Sequence, residues 1–167
     1  MPTENAALLR YFLQDDLYLL NEDKTAYATT PVAQPETETK KTGFNYLGGN
    51  NEKFLILVNY PAHEHLEEAH LKALESTLAR KQLMRIDVAI LNLAKHTEHN
   101  AAEVLGYFKP AKILILGMDA ILQGLPPTVF NTAEAKSNYR QLHTYNFTEM
   151  IADRDKAKAF WEQVKNF

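Results

Sequence analysis

Three stretches decide the fold of this chain: residues 54–58 (FLILV), 88–91 (VAIL) and 113–116 (ILIL). Each is a continuous apolar run without the alternation of polar and apolar residues that marks a strand with one wet face. Strands that are covered on both faces have this pattern, and they are typical of parallel sheets. The three stretches therefore predict the buried central strands of an α/β domain.

Helical patterns separate these runs. Residues 64–82 and 101–108 are predicted helices, and Gly117 is predicted to open a helical segment that ends at Gly124. A short strand near Val129, a last strand over residues 139–145 and a terminal helix over 153–166 complete the domain. The β-α-β-α-β order predicts a three-layer α/β/α domain over residues 53–167, with a mostly parallel central sheet and right-handed crossovers.

The N-terminal segment is predicted to be separate from this domain. Residues 1–21 are predicted to form an amphipathic helix, and residues 22–52, with many Thr, Pro and Gly, a linker or long loop. The apolar face of the helix either binds a protein partner or docks on the chain's own domain. The candidate partner-binding residues on this face are Leu9, Phe12, Leu13, Leu17 and Leu20.

Composition excludes several classes of function. The chain has 167 residues, 46% of them hydrophobic and 23% charged, a net charge of −3 and no cysteine. Disulfides, thiolate nucleophiles and cysteine-held metals are therefore absent. The slightly acidic balance gives no general attraction to phosphate backbones, so direct nucleic-acid binding is expected to be weak or absent. No signal peptide or membrane span is predicted, and we expect a soluble, cytoplasmic protein.

The six histidines raise the question of a metal site. Zincin chemistry needs two histidines four apart on a helix, but the residue four after His63 is Glu67. His96 and His99 could share one face, yet solvated or capping roles are the more usual ones. Neither serine of the chain lies in a G-x-S-x-G turn. We therefore expect no metal, no cofactor and no serine nucleophile.

The order of landmarks resembles the uracil-DNA glycosylase superfamily, in particular its iron–sulfur branch. Residues 87–125 (DVAILNLAKHTEHNAAEVLGYFKPAKILILGMDAILQGL) resemble that branch's strand ending in Asn, its helix and its "P-k-v-i-v-a-L-G-x-x-A" turn. Residues 142–165 (LHTYNFTEMIADRDKAKAFWEQVK) resemble its "t-y-H-P-s" segment and last helix. The positions in register are Asn92, Pro110, Gly117, Ala120, Thr144, Tyr145, Ile151 and Trp161. The resemblance implies a glycosylase-like fold over most of residues 54–165.

The departures from that family concern its catalytic groups. Residues 58–63 (VNYPAH) stand where the family has a "G-E-x-P-G" type loop that positions water, and the acid is missing. Asn146-Phe147 stands where the family has the "H-P" pair whose His stabilises the uracil anion. The resemblance thus implies a fold without the catalytic residues, so no enzyme. Residual pocket candidates are Asn59, Tyr60, Asn92, His143 and Asn146.

The chain also resembles, distantly, the psi subunits of bacterial DNA polymerase III. The shared features are an N-terminal segment such as residues 8–20 (LLRYFLQDDLYLL), a linker, and an Ala-rich last helix with Trp161 and Val164. In that family the N-terminal segment tethers to the clamp loader, and the domain binds the chi subunit. The resemblance implies a non-catalytic protein-interaction scaffold in DNA replication or repair, with replication subunits as partners.

Two alternatives remain open at this stage. One is a divergent DNA glycosylase-like hydrolase that uses Asn59, Asn92, His143 or Asn146 in a pocket at the carboxyl ends of the strands, where open α/β sheets bind ligands. The other is an unrelated small-molecule-binding α/β domain, because a fold by itself does not specify a function.

Overall fold

The computed structural model describes residues 43–167, an α/β unit with a mixed six-stranded sheet and four helices. The strands are β1 (Tyr46–Gly48), β2 (Phe54–Val58), β3 (Val88–Asn92), β4 (Lys112–Leu116), β5 (Thr132–Ala135) and β6 (Arg140–Thr144). The helices are α1 (Glu68–Arg80), α2 (Ala101–Phe108), α3 (Phe147–Ala152) and α4 (Arg154–Val164).

The strand order across the sheet is β1-β3-β2-β4-β6-β5. The inner neighbours β3-β2, β2-β4 and β4-β6 are parallel, whereas β1 and β5 pair antiparallel at the two edges. The sheet is thus mixed, and the prediction of a mostly parallel sheet was wrong at its edges. Strands β5 and β6 are antiparallel because residues 136–139 join them, a connection too short for a parallel crossover.

The edge strand β1 lies inside the stretch that the sequence predicted as linker or long loop. It pairs with β3 in the register Tyr46↔Leu91 and Gly48↔Ala89. Gly48 has φ +109°, and a Cβ there would lie 2.1 Å from the Val88 carbonyl oxygen. Only glycine allows this approach of the two backbones. The described sheet therefore begins before residue 53.

The three apolar runs form the central strands, as predicted. All five residues of β2 and of β3 are buried, and so are the last four of β4. The parallel register places Leu57 beside Leu91 and beside Ile115. Continuous apolar sequence therefore corresponds here to strands with no wet face.

Two core clusters divide the described hydrophobic residues between them. In the first, Phe54, Ile56 and Val58 of β2 pack with residues of α1, α3 and α4. In the second, Leu55 and Leu57 of the same strand pack with residues of α2 and of the segment after β4. Because successive side chains of a strand point to opposite faces, the two clusters lie on the two faces of the sheet.

Helix α1 begins at Glu68, four residues later than predicted. The carbonyl oxygens of Tyr60, His63 and Glu64 each lie within 3.2 Å of the Asn92 side-chain nitrogen. These contacts hold the residues after β2 in turns, which delays the start of the helix. The helix α2, by contrast, has the predicted bounds.

The predicted helical segment from Gly117 to Gly124 is wrong, and so is the predicted strand near Val129. Gly117 and Gly124 have φ +99° and +92°, which ends regular structure at both positions. Between them Ala120 and Leu122 are buried while their neighbours are exposed, an alternation typical of extended chain. The strand of this region is β5, which starts after Val129.

The predicted terminal helix corresponds to α4, and a second helix, α3, precedes it. Asn146 caps α3 and Asp153 caps α4, each side chain accepting a hydrogen bond from a backbone N–H of the first turn. The prediction missed α3 because its six residues are too few for a clear apolar period.

The predicted N-terminal helix and its face of Leu9, Phe12, Leu13, Leu17 and Leu20 lie outside the described residues. Within residues 43–167, none of the helices has the length and apolar character that crossing a membrane requires.

Candidate functional site

Three of the five pocket candidates lie together where the parallel strands end. Asn59 and Tyr60 follow β2, and Asn146 lies two residues after β6. With Gly117, which follows β4, they line a cavity of about 70 Å³ that we call the strand-end cavity. The remaining lining residues are Leu116, Asp119 and Thr148. Polar side chains thus meet at the edge of the sheet where α/β proteins bind ligands.

Asn92, the fourth candidate, is fully buried and does not line this cavity. Its Oδ1 accepts hydrogen bonds from the backbone N–H groups of Tyr60 at 2.9 Å and Ala94 at 3.3 Å. Its Nδ2 lies 2.9 Å from the carbonyl oxygens of Tyr60 and His63 and 3.2 Å from that of Glu64. Every hydrogen-bonding atom of the amide holds backbone, so Asn92 is a structural clamp on the loop after β2.

Asn146 is also engaged with the backbone. Its Oδ1 accepts from the Glu149 N–H at 2.8 Å, and the Glu149 carboxylate accepts from the Asn146 N–H at 3.1 Å, a reciprocal capping box at the start of α3. Gly117 packs closely beneath it, since a Cβ at Gly117 would lie 3.1 Å from the Cβ of Asn146. This close packing keeps the strand-end cavity small, and only the Asn146 amide nitrogen is left to donate.

Tyr60 keeps its proton. Its hydroxyl lies 2.9 Å from His70 Nδ1. Burial, followed by the negative charge of Glu67, raises the pKa of Tyr60 to about 12. The phenol therefore stays neutral at physiological pH and does not serve as a general base there.

His143, the fifth candidate, does not line the strand-end cavity. It is 7% exposed, and its Nε2 lies 3.1 Å from the Gly117 carbonyl oxygen. Phe130 packs edge-on against its ring at a centroid distance of 5.1 Å. It lines a different cavity of about 310 Å³, together with Gln141. The structure thus separates His143 from the three candidates that it brings together.

The size of the strand-end cavity limits its chemistry. Pockets for small molecules usually enclose about 300–1,000 Å³, and one water occupies about 30 Å³ in the liquid. At about 70 Å³ the cavity has room for a few waters. Its polar groups are two amides, a neutral phenol, the exposed Asp119 and Thr148. The strand-end cavity by itself is thus smaller than the usual pocket for a small molecule.

A second group of polar side chains lies next to this cavity. Residues 96–99 (HTEH), which we call the histidine turn, join a 3-10 turn at Leu93–Lys95 to the start of α2. One possible ligand atom each from His96, Glu98 and His99 lies within 4.8 Å of the others. Both histidines line a cavity of about 250 Å³ that shares Asn59 and Asp119 with the strand-end cavity.

Sequence reasoning missed several residues of this region. Asp119 was interpreted as the start of a helix that does not form, and no pattern pointed to Thr148. The pairing of Tyr60 with His70 was also unexpected, because the two belong to different elements. The start of α3 could have been predicted from the sequence, since an Asn followed three residues later by Glu, as in Asn146 and Glu149, is a known signal for the start of a helix.

Comparison of the chain with protein-family models and with curated proteins gives no match. The resemblances to uracil-DNA glycosylases and to psi subunits therefore stay predictions from the sequence.

Proposed function

We propose that the chain is a non-catalytic protein-interaction scaffold in DNA replication or repair, similar in role to the psi subunits of DNA polymerase III. The observation that carries this proposal is that the asparagine side chains at the strand ends form hydrogen bonds with backbone groups. The side chains of Asn92 and Asn146 are hydrogen-bonded to backbone groups, and the strand-end cavity has a volume of about 70 Å³. A site that retained base-releasing activity would need free polar groups around a nucleobase-sized pocket.

The glycosylase-like three-layer arrangement is part of the same proposal. Its support is that α1, α3 and α4 contribute to one core cluster and α2 to the other. Such a domain can keep its fold after the catalytic groups have been replaced, because the fold does not by itself determine the function.

A binding role also agrees with the described surface. Three large apolar side chains, those of Met118, Ile121 and Val129, are 57% to 65% exposed and come from the irregular segment between β4 and β5. They are three of the seven large apolar side chains that are exposed in the described residues, and we infer that this segment contributes to an interaction surface.

The N-terminal segment supplies the test of this proposal. We expect a purified clamp loader from the organism of origin to bind the full chain, and deletion of residues 1–22 to abolish that binding while the melting temperature stays nearly unchanged. Leu13→Asp should weaken binding because it places a charge on the predicted apolar face. Gln14→Asp, which adds the same charge outside that face, is the matched control.

Two results would contradict the anchor role of this segment. One is a large fall in melting temperature on truncation, because losing several buried leucines at about 1.5–3 kcal/mol each would show that the helix belongs to the core. The other is equal binding by the full and truncated chains.

One observation favours small-molecule binding as a second candidate function. The cavity of about 310 Å³ is lined by Gln141, which is 2% exposed and whose Oε1 has no hydrogen-bond partner among the described residues. Its Nε2 donates to the Pro126 carbonyl oxygen at 3.2 Å, which fixes the orientation of the amide. A ligand of this cavity would have to donate an N–H or O–H group to Oε1.

A further inference from the structure

The histidine turn brings three possible metal ligands close together. His96 ends the 3-10 turn, its N–H donating to the Leu93 carbonyl oxygen at 3.0 Å, and the His99 N–H donates to the His96 carbonyl oxygen at 3.2 Å. Asn100 then caps α2. Two capped elements thus fix a four-residue turn, and three side chains from that turn each place a ligand atom within 4.8 Å of the others.

The contacts behind His96 leave one nitrogen of its ring available to a metal. Its Nε2 lies 3.0 Å from the backbone carbonyl oxygen of Asn45. A carbonyl only accepts, so the neutral ring carries its proton on Nε2 and has its lone pair on Nδ1. The ring is 8% exposed and packs against Phe44 at a centroid distance of 5.5 Å. His96 is therefore a buried, oriented ligand with one free electron pair.

A hydrogen bond at one ring nitrogen of His99 likewise leaves the other nitrogen available to a metal. Its Nδ1 lies 2.9 Å from a carboxylate oxygen of Glu103, which also accepts from the Asn100 N–H at 3.4 Å. The proton of the neutral ring therefore lies on Nδ1, and Nε2 faces the carboxylate of Glu98 at 3.4 Å. A histidine whose far nitrogen donates to a carboxylate is the usual arrangement around a protein-bound metal, because the carboxylate fixes the tautomer and the ring.

We propose that His96, Glu98 and His99 form a binding site for a divalent ion of the zinc class. Two imidazoles and one carboxylate are ligands that Zn²⁺ prefers, whereas Mg²⁺ and Ca²⁺ prefer oxygen ligands throughout. Bonds of about 2.0–2.1 Å require the ligand atoms to move closer together than their present limit of 4.8 Å. Glu98 is exposed, so its side chain makes this adjustment at little cost.

The fourth ligand position of the ion would be open to solvent. The cavity of about 250 Å³ beside the two histidines is lined by polar groups that include Asn59, Thr97 and Asp119. A water or a small anion in this cavity would complete a tetrahedral site. The inference is independent of the proposed scaffold function, since it rests on the geometry of the histidine turn alone.

Calorimetric titration of zinc ion into the full chain, after treatment with a chelator, tests the proposal. We expect saturable binding of one ion per chain and a rise in melting temperature with zinc concentration, because an ion that binds only the folded state stabilises it. His99→Ala and Glu98→Gln should each weaken binding at least about tenfold and suppress the rise. His63→Ala removes an exposed histidine outside the turn and is the matched control.

Neither His99→Ala nor Glu98→Gln replaces the buried His96. A loss of zinc binding in these variants is therefore not confused with a failure to fold. Cobalt ion offers a second readout, because its visible spectrum reports the coordination geometry directly. The proposal would be overturned by the absence of saturable binding, by equal loss in His63→Ala, or by His99→Ala binding zinc as tightly as the unsubstituted chain.

Discussion

The asparagines at the strand ends and the histidine turn use polar side chains in opposite ways. Asn92 and Asn146 face backbone N–H and carbonyl groups, and their hydrogen bonds hold the loop after β2 and the start of α3. In the histidine turn the backbone is fixed by its own hydrogen bonds, and His96, Glu98 and His99 face one another. From this contrast we infer that a polar side chain can bind a ligand only where the fold leaves at least one of its donors or acceptors unused.

The largest expected effect comes from breaking the Asn92 clamp. In Asn92→Asp an oxygen would replace the nitrogen that faces three carbonyl oxygens, in a fully buried position. One oxygen of this buried carboxylate keeps its two backbone N–H donors, but the other faces only carbonyl oxygens. We expect the free energy of unfolding, measured by urea denaturation, to fall by about 3–5 kcal/mol.

Asn59→Asp is the matched control for this change. Asn59 is half-buried, and its side chain has no hydrogen-bond partner in the described part of the chain. We expect a change of about 0.5 kcal/mol or less. If Asn92→Asp and Asn59→Asp lowered the free energy of unfolding equally, the hydrogen bonds of Asn92 would contribute nothing to stability beyond the general burial of the region.

The central fold was predictable because its strands carry a strong local signal. A run such as residues 54–58 has no polar residue, so its burial on both faces follows from composition alone. The edge strand β1 has three residues and a partner far along the chain, so no local pattern separates it from a loop. The segment after β4 was predicted wrongly because its apolar spacing suits a helix, whereas in the structure Ala120 and Leu122 alternate with exposed neighbours, as in extended chain.

The site was predictable to the extent that it depends on strand ends. Parallel strands end at one edge, so Asn59 and Asn146 meet there as expected. His143 does not join them because it pairs with Ile115, a residue of the second core cluster, and so points to that face of the sheet. The sequence singled out His96 and His99 as a pair that could share one face, but it did not point to Glu98 as a third ligand, since rules of metal-ligand spacing concern helices and extended motifs rather than irregular turns.

A smaller effect is expected where Asn146 caps α3. Asn146→Ala removes the acceptor for the Glu149 N–H and should lower the free energy of unfolding by about 1 kcal/mol. Asn146→Ser keeps a side-chain oxygen that can cap the helix, so it is the control. We expect it to lower the free energy of unfolding by only about 0.3 kcal/mol. We expect neither the original chain nor either variant to release uracil from single- or double-stranded DNA.

Robust uracil release by the original chain that Asn146→Ala abolishes would overturn the scaffold proposal. It would show that the side chain acts on a substrate beyond capping its helix. A loss of stability without any activity in either chain would support the structural role.

The smallest effect is expected from Tyr60, and it appears at alkaline pH. In the folded chain the pKa of Tyr60 is raised from 10.0 to about 12, mainly by burial and then by Glu67. Between these two values the unfolded chain has lost the phenolic proton while the folded chain still holds it, so stability falls as the pH rises. The contribution of Tyr60 is complete below pH 10.0 and is lost as the pH passes about 12.

Tyr60→Phe should therefore reduce the loss of stability across this window, while at neutral pH it removes one partly buried hydrogen bond and costs about 0.5–1 kcal/mol. Tyr107→Phe changes a ring that is 47% exposed and serves as the control. Urea denaturation at several alkaline pH values measures both effects. Ultraviolet titration of the tyrosinate band should show a late-ionising component that falls by one tyrosine in Tyr60→Phe, while Tyr139, whose pKa burial also raises, contributes in both chains. An alkaline decline that is the same in all three chains would contradict the prediction, because it would mean that Tyr60 ionises equally readily in the folded and unfolded states.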